Sequence, residues 1–196
     1  MKITKSAKAA DIEVSNNADE RAYAVVEPRE ILNSGTTAEQ PSATPDPARL
    51  GLIASPARFI LEPRQRRMIR IAAIGGPPER ERVYRVTVKP VTGEVAGSDT
   101  GLKLLVGYDL LVLVRPALVR EELKIDREGN ELVITNLGNA SVELAEGQQC
   151  LGGKRGCRSL PSKRLYAGAS WKQALPGPGS GEYRVRSAAG WSTLKF

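Results

Sequence analysis

Histidine is absent from the chain, and cysteine, methionine, tryptophan and phenylalanine occur twice each. Without an imidazole there is no Ser-His-Asp or Cys-His machinery, no histidine metal ligand and no imidazole general base. Two cysteines cannot supply a four-ligand zinc site, so no metal or other cofactor is expected. Aromatic residues make up 5% of the chain, too few for the clustered stacking platform that single-stranded nucleic acid needs. No apolar run approaches the roughly 18–20 residues of a membrane-spanning helix. The opening residues Met1–Lys5 lack the apolar stretch of a secretory leader, so any such leader is expected to have been removed or never to have existed. Asp and Glu are scattered, and no nucleophile–base pair stands out. These absences point away from an enzyme.

What remains is a basic chain of 196 residues, 41% apolar, with a formal net charge of +7. That length suits one large or two small domains with a real core. The charge is uneven: residues 147–196 hold nine Lys and Arg against Glu182 alone. Such a block suits an anionic partner or a plain solvated face; with so few aromatics, nucleic acid is not expected as a partner.

Cys150 and Cys157 flank the turn-rich hexapeptide LGGKRG. Two readings stand at this level: a short hairpin disulfide in an oxidising compartment, or two reduced thiols.

Period-2 alternation recurs with Pro and Gly between the runs, and long 3.6-residue periodicity is missing, so the fold class is all-β. Strands are expected at Asp11–Ser15, Arg21–Pro28, Leu50–Ser55, Ala57–Leu61, Arg66–Ile74 and Glu81–Val91. Asn33–Arg49 carries three prolines and no large apolar residue and reads as a loop or mobile insertion, as does the polar stretch Thr92–Gly101. The longest strand signal is Leu102–Arg115 (LKLLVGYDLLVLVR), in which Leu102, Leu104, Val106, Tyr108, Leu110, Val112 and Val114 form one apolar parity. Pro116 ends it, and the domain boundary is placed there: residues 1–116 and 117–196. Beyond it, strands at Leu123–Asp126, Glu131–Asn136, Ser141–Ala145, Ser170–Ala174, Glu182–Ser187 and Trp191–Phe196 alternate with turn signals at sandwich spacing. IEVSN at residues 12–16 and LVITN at 132–136 repeat one theme. Two tandem β-sandwiches are the economical reading.

The ordered set Ile12–Asn17, Ser55–Ile71, Glu81–Val91, Leu102–Pro116 and Glu131–Asn136 resembles the periplasmic chaperones of the chaperone–usher pilus pathway, built of two immunoglobulin-like domains. The resemblance implies a periplasmic chaperone for pilus (fimbrial) subunits that lends alternate apolar residues of its long strand to an incomplete subunit and delivers the subunit to an outer-membrane usher. Carried over, the donor residues are Leu102, Leu104, Val106 and Tyr108. Family members of the common type place a lysine on this strand to anchor the subunit's C-terminal carboxylate; here that position is Leu111, which marks a divergent branch or leaves the role to Lys2, Lys5 or Lys8. Glu81 and Arg115 match positions that form an interdomain charge contact in the family, the alternative being two independent surface charges. A two-domain immunoglobulin-like adhesion or ligand-binding module is the rival function, since it shares every strand but needs no exposed donor edge.

Overall fold

The computed structural model describes residues 1–44, 46–91, 106–151 and 156–196. Within them the chain divides into two compact units: residues 1–32, 41–77 and 82–115 form the first, and residues 33–40, 78–81 and 116–196 the second.

The first unit contains β1 (Lys2–Ile3), β2 (Ala9–Ser15), β3 (Ala22–Leu32), β4 (Gln40–Pro41), the single helical turn α1 (Pro47–Leu50), β5 (Leu52–Ser55), β6 (Arg58–Leu61), β7 (Arg66–Ala73), β8 (Arg82–Val91) and β9 (Tyr108–Val114). One sheet runs β1-β9-β8-β3-β4, with β6 also paired to β3; the other is β2-β7-β5. Alternation decides which side chains go inside. Val86, Val88 and Tyr84 from β8, Val112 and Val114 from β9, and Ile69 and Ile71 from β7 meet in one core with Leu52, Phe59 and Leu61. Burying a Val, Leu or Ile side chain is worth about 1.5–3 kcal/mol, so this row is the main source of the unit's stability.

Three features depart from the sequence reading. Strand β3 continues past Pro28 to Leu32. Beyond Val25 it has left β6, and a proline is accommodated where a strand has lost a neighbour. The stretch expected to be a loop after Asn33 contains β4 and α1. Asp46 caps α1, its Oδ1 accepting from the Ala48 amide at 2.9 Å, and Pro47 stands at the first helical position, where its missing N–H costs nothing. Finally, β1 adds parallel to β9, with Lys2 opposite Leu113 and Ile3 opposite Val114; two residues are too short for an alternation signal.

The second unit contains β10 (Leu123–Glu128), β11 (Glu131–Asn136), β12 (Val142–Cys150), β13 (Cys157–Leu160), β14 (Lys163–Leu165), β15 (Ser170–Ala174), β16 (Gly181–Arg186) and β17 (Trp191–Lys195). Sheet β10-β11-β15 packs against sheet β13-β12-β16-β17, to which β14 adds beside β12. Leu132, Ile134, Val142, Leu144, Leu165, Tyr183 and Val185 form the core. Burial pushes the Tyr183 phenol up to about 12. The register of β12 against β16 shifts between Ala145 and Gln148, at a bulge where Glu146 takes a positive φ of 49°. Gly147 sits in that bulge because a Cβ there would overlap the Tyr183 ring. Cys150 pairs with Cys157 across β12 and β13, and the two are joined by a disulfide, so of the two readings open in the sequence the bonded one holds.

Candidate functional site

The site expected from the sequence centres on the long strand. Among the described residues β9 begins at Tyr108, shorter than the expected Leu102–Arg115; Val106 and Gly107 precede the ladder. Glycine weakens a strand and permits close backbone approach. At Gly107 a Cβ would lie 3.3 Å from the Val88 carbonyl oxygen. Leu102 and Leu104 lie outside the described residues, as does Thr92–Gly101.

The antiparallel register with β8 sets the facing of each β9 side chain. Tyr108 stands opposite Val88, Leu110 opposite Val86, and Val112 opposite Tyr84. These partners point into the core, so Tyr108, Leu110 and Val112 share the core-facing parity. Along that parity exposure falls steeply: Val106 is 62% exposed and Tyr108 68%, Leu110 is partly buried, and Val112 is 0% exposed. The apolar row thus runs on past the end of the core, leaving large hydrophobic groups in water. On the edge of β9 away from β8, β1 covers only Leu113 and Val114, with Leu113 N donating to Met1 O and Arg115 N to Ile3 O. From Tyr108 to Val112 that edge carries no strand among the described residues.

The opposite face of the same sheet is charged and paired. Lys89 Nζ lies 2.9 Å from Glu27, and Arg85 lies 3.3 Å from Asp109. The hydrogen bond from Lys89 holds the Glu27 carboxyl below its ordinary range, against the opposing effect of burial. Leu111, at the position where the resemblance places a lysine, stands opposite Arg85 on this face and is half-buried. Lys5 and Lys8 line a small recess together with Arg115 and the turn Gly75–Pro77, while Lys2 is exposed in β1.

Glu81 and Arg115 are both buried, at 8% and 5% exposure. Glu81 groups with the second unit: its amide donates to Asn139 O at 2.8 Å, and its Oε1 accepts from the Ser141 amide at 3.1 Å. Arg115 groups with the first unit.

Sequence reasoning missed a fork in the same sheet, at the end of β8 opposite Val114. Arg82 Nε and Nη2 bind the two carboxylate oxygens of Glu30 at 2.7 and 2.6 Å, while its guanidinium lies 5.4 Å from the Tyr84 ring centroid. The Tyr84 hydroxyl donates to Leu50 O, and burial raises its pKa well above the ordinary phenol value. This group ties β3, β8 and α1 together. No alternation signal marks it, because the partners lie 52 residues apart.

The sequence profile of the pili and flagellar-assembly chaperone family, PapD N-terminal domain, matches residues 1–120. No curated protein matches the chain. Among solved structures, the class 5 fimbriae chaperone CfaA superposes with a TM-score of 0.78 at 20% identity, covering 100% of this chain and 94% of its own. A structure of the Salmonella enterica SafA pilin in complex with the SafB chaperone gives a TM-score of 0.65 at 22% identity, covering 100% and 91%. The Pseudomonas aeruginosa CupB2 chaperone gives 0.60 at 16%, covering 99% and 95%. The likeness extends over both units, whose folds are those of tandem immunoglobulin-like sandwiches. The chain belongs to the pili and flagellar-assembly chaperone family.

Proposed function

We propose that the protein is a periplasmic chaperone that completes the fold of a pilus subunit by donating Leu102, Leu104, Val106 and Tyr108, and passes the subunit to an outer-membrane usher. One observation carries the reading: the core-facing parity of β9 continues into exposed Val106 and Tyr108, at the end of the strand whose outer edge β1 does not reach. An exposed apolar edge is an aggregation hazard that natural proteins suppress, so its retention is intelligible when a partner covers it. Strand addition supplies main-chain ladder bonds for affinity, while alternate side chains entering pockets supply specificity. The SafB chaperone has been solved with the SafA pilin, which supports the same class of partner here. No catalytic step belongs to the proposed activity.

The test is co-expression of the chain, directed to the periplasm, with a pilus subunit encoded beside it. A stoichiometric complex recovered from the periplasm, and subunit degraded or aggregated when the chain is omitted, are the expected results. Soluble subunit in equal yield with and without the chain rejects the proposal and favours an adhesion or ligand-binding module.

A further inference from the structure

A second group of exposed side chains lies in the second unit. Strand β17 is the terminal strand of its sheet, paired to β16 on one side and to no described strand on the other. Leu194 packs on the core, whereas Trp191, Ser192, Thr193 and Lys195 are exposed. The antiparallel register sets Arg186 opposite Trp191 and Arg184 opposite Thr193. The guanidinium of Arg184 lies 5.1 Å from the Trp191 ring centroid and that of Arg186 lies 5.8 Å from it. Trp191 is nevertheless 51% exposed. The hairpin tip before it is pinned, because Glu121 Oε1 accepts from the amides of Ala188 and Ala189 at 3.0 Å each. The group therefore stands on a fixed hairpin.

We propose that the free edge of β17, with Trp191, Arg184, Arg186 and Lys195 beside it, docks an extended acidic segment of a partner polypeptide. An unpaired edge offers ladder hydrogen bonds to a strand, and Trp and Arg are the residues that most often dominate binding interfaces. Charge selects the occupant. The carboxylates facing this group are engaged: Glu143 with Arg164 at 3.1 Å, Glu146 with Arg184 at 3.7 Å, and Glu182 with Gln148 Nε2 at 2.9 Å. Arg186 and Lys195 stand opposite Glu143 and Glu182 in the ladders but make no ion pair with them among the described residues, and residues 147–196 hold nine basic side chains against Glu182. A second copy of the chain pairing edge to edge would bring two such cationic strips together, which like-charge repulsion opposes. An acidic strand satisfies both the edge and the cations.

The test titrates a fluorescein-labelled octapeptide of alternating Glu and Val into the full chain at low ionic strength, followed by anisotropy. Comparison probes are a peptide of the same composition with its four Glu contiguous, two versions N-methylated at one or the other set of alternate amides, and vesicles of anionic phospholipid. The alternating peptide should bind at least tenfold more tightly than the contiguous one, and one N-methylated version should lose binding. The double variant Arg184→Glu/Arg186→Glu should lose at least tenfold for the Glu–Val peptide and gain affinity for an alternating Lys–Val peptide, a gain that misfolding cannot produce. Equal affinity for alternating and contiguous peptides would overturn the proposal, as charge alone would then suffice. So would binding untouched by the double substitution. Vesicle binding that these substitutions abolish, without any preference among peptides, would assign the face to an anionic lipid surface instead. Concentration-dependent dimerisation lost in Trp191→Ala, with no peptide bound, would assign it to self-association.

Discussion

Asn16 and Asn136 occupy equivalent places in the two sandwiches and make the same bonds. Each follows a β-branched or hydroxyl run at a strand end, and each is buried. Asn16 Nδ2 donates to Glu20 O and Leu61 O, and its Oδ1 accepts from the Ala18 amide. Asn136 Nδ2 donates to Ala140 O and Leu165 O, and its Oδ1 accepts from the Gly138 amide. In both, the amide side chain joins its own i+2 amide and i+4 carbonyl to a carbonyl at the end of a distant strand. Few side chains can replace it, since the position needs one acceptor and two donors at once.

Removing either amide should leave buried carbonyls without partners, at a cost of about 1–3 kcal/mol. Asn136→Ala should destabilise the second unit and Asn16→Ala the first. Urea unfolding followed by near-UV circular dichroism should place each loss in a different transition, or lower one shared midpoint if the units unfold together. A midpoint unchanged in both variants would mean the corner is dispensable.

The Arg82–Glu30 fork is partly buried and bidentate, a geometry lysine cannot reproduce. Arg82→Lys is expected to cost about 1 kcal/mol, and a double-mutant cycle with Glu30→Gln should show coupling of similar size. Additive single effects would show that the fork is an ordinary surface contact.

Tyr183 carries a pH dependence with a definite sign. Its folded pKa is raised by burial from the ordinary 10.0 to about 12, so its stabilisation is complete below pH 10 and is lost as pH rises from 10 toward 12. Tyr183→Phe should therefore flatten the alkaline limb of the second unit's stability curve. Glu27 works in the other direction. Its carboxyl is held below the ordinary 4.5 by Lys89, so its contribution is present above pH 4.5 and lost as pH falls through the lower folded value. Lys89→Met should make the first unit less sensitive to acid in the same measurement.

The disulfide between Cys150 and Cys157 closes a loop with a sequence separation of 7. So short a closure restricts few unfolded conformations, and the double Cys→Ala variant should lose about 2 kcal/mol, the lower part of the usual range. Thiol titration of the unreduced, denatured chain should find close to no free thiol.

Donor side chains should matter to the partner and not to the chain itself. Tyr108→Ala should leave the melting temperature of the free protein unchanged, since the side chain is 68% exposed, yet weaken subunit capture. Leu104→Ala, if it empties a pocket in the subunit, should cost about 2–5 kcal/mol of binding, on the order of 30-fold to several thousand-fold in affinity. Lys103→Ala, of opposite parity, should be silent. A Leu104→Ala protein that melts several degrees lower and still captures subunit would place Leu104 in the chain's own core.

Local alternation is a property of neighbouring residues, and what depends on it was legible directly. The all-β class, most strands between Asp11 and Val91 and between Leu123 and Phe196, and the apolar parity of the long strand follow from period-2 patterning and turn residues, whereas β4, β13 and β14 did not show in that pattern. IEVSN and LVITN repeat one theme in the sequence, each ending in a turn at asparagine. Bonds between residues far apart in the chain leave no local trace. Only the tertiary structure decided that Ile3 adds parallel to Val114, that Asn16 reaches Leu61 and Asn136 reaches Leu165, and that Arg82 grips Glu30. It also decided where along one uniformly apolar parity the core stops, between Val112 and Tyr108. That boundary depends on which strands lie opposite, and no pattern within the strand itself encodes it.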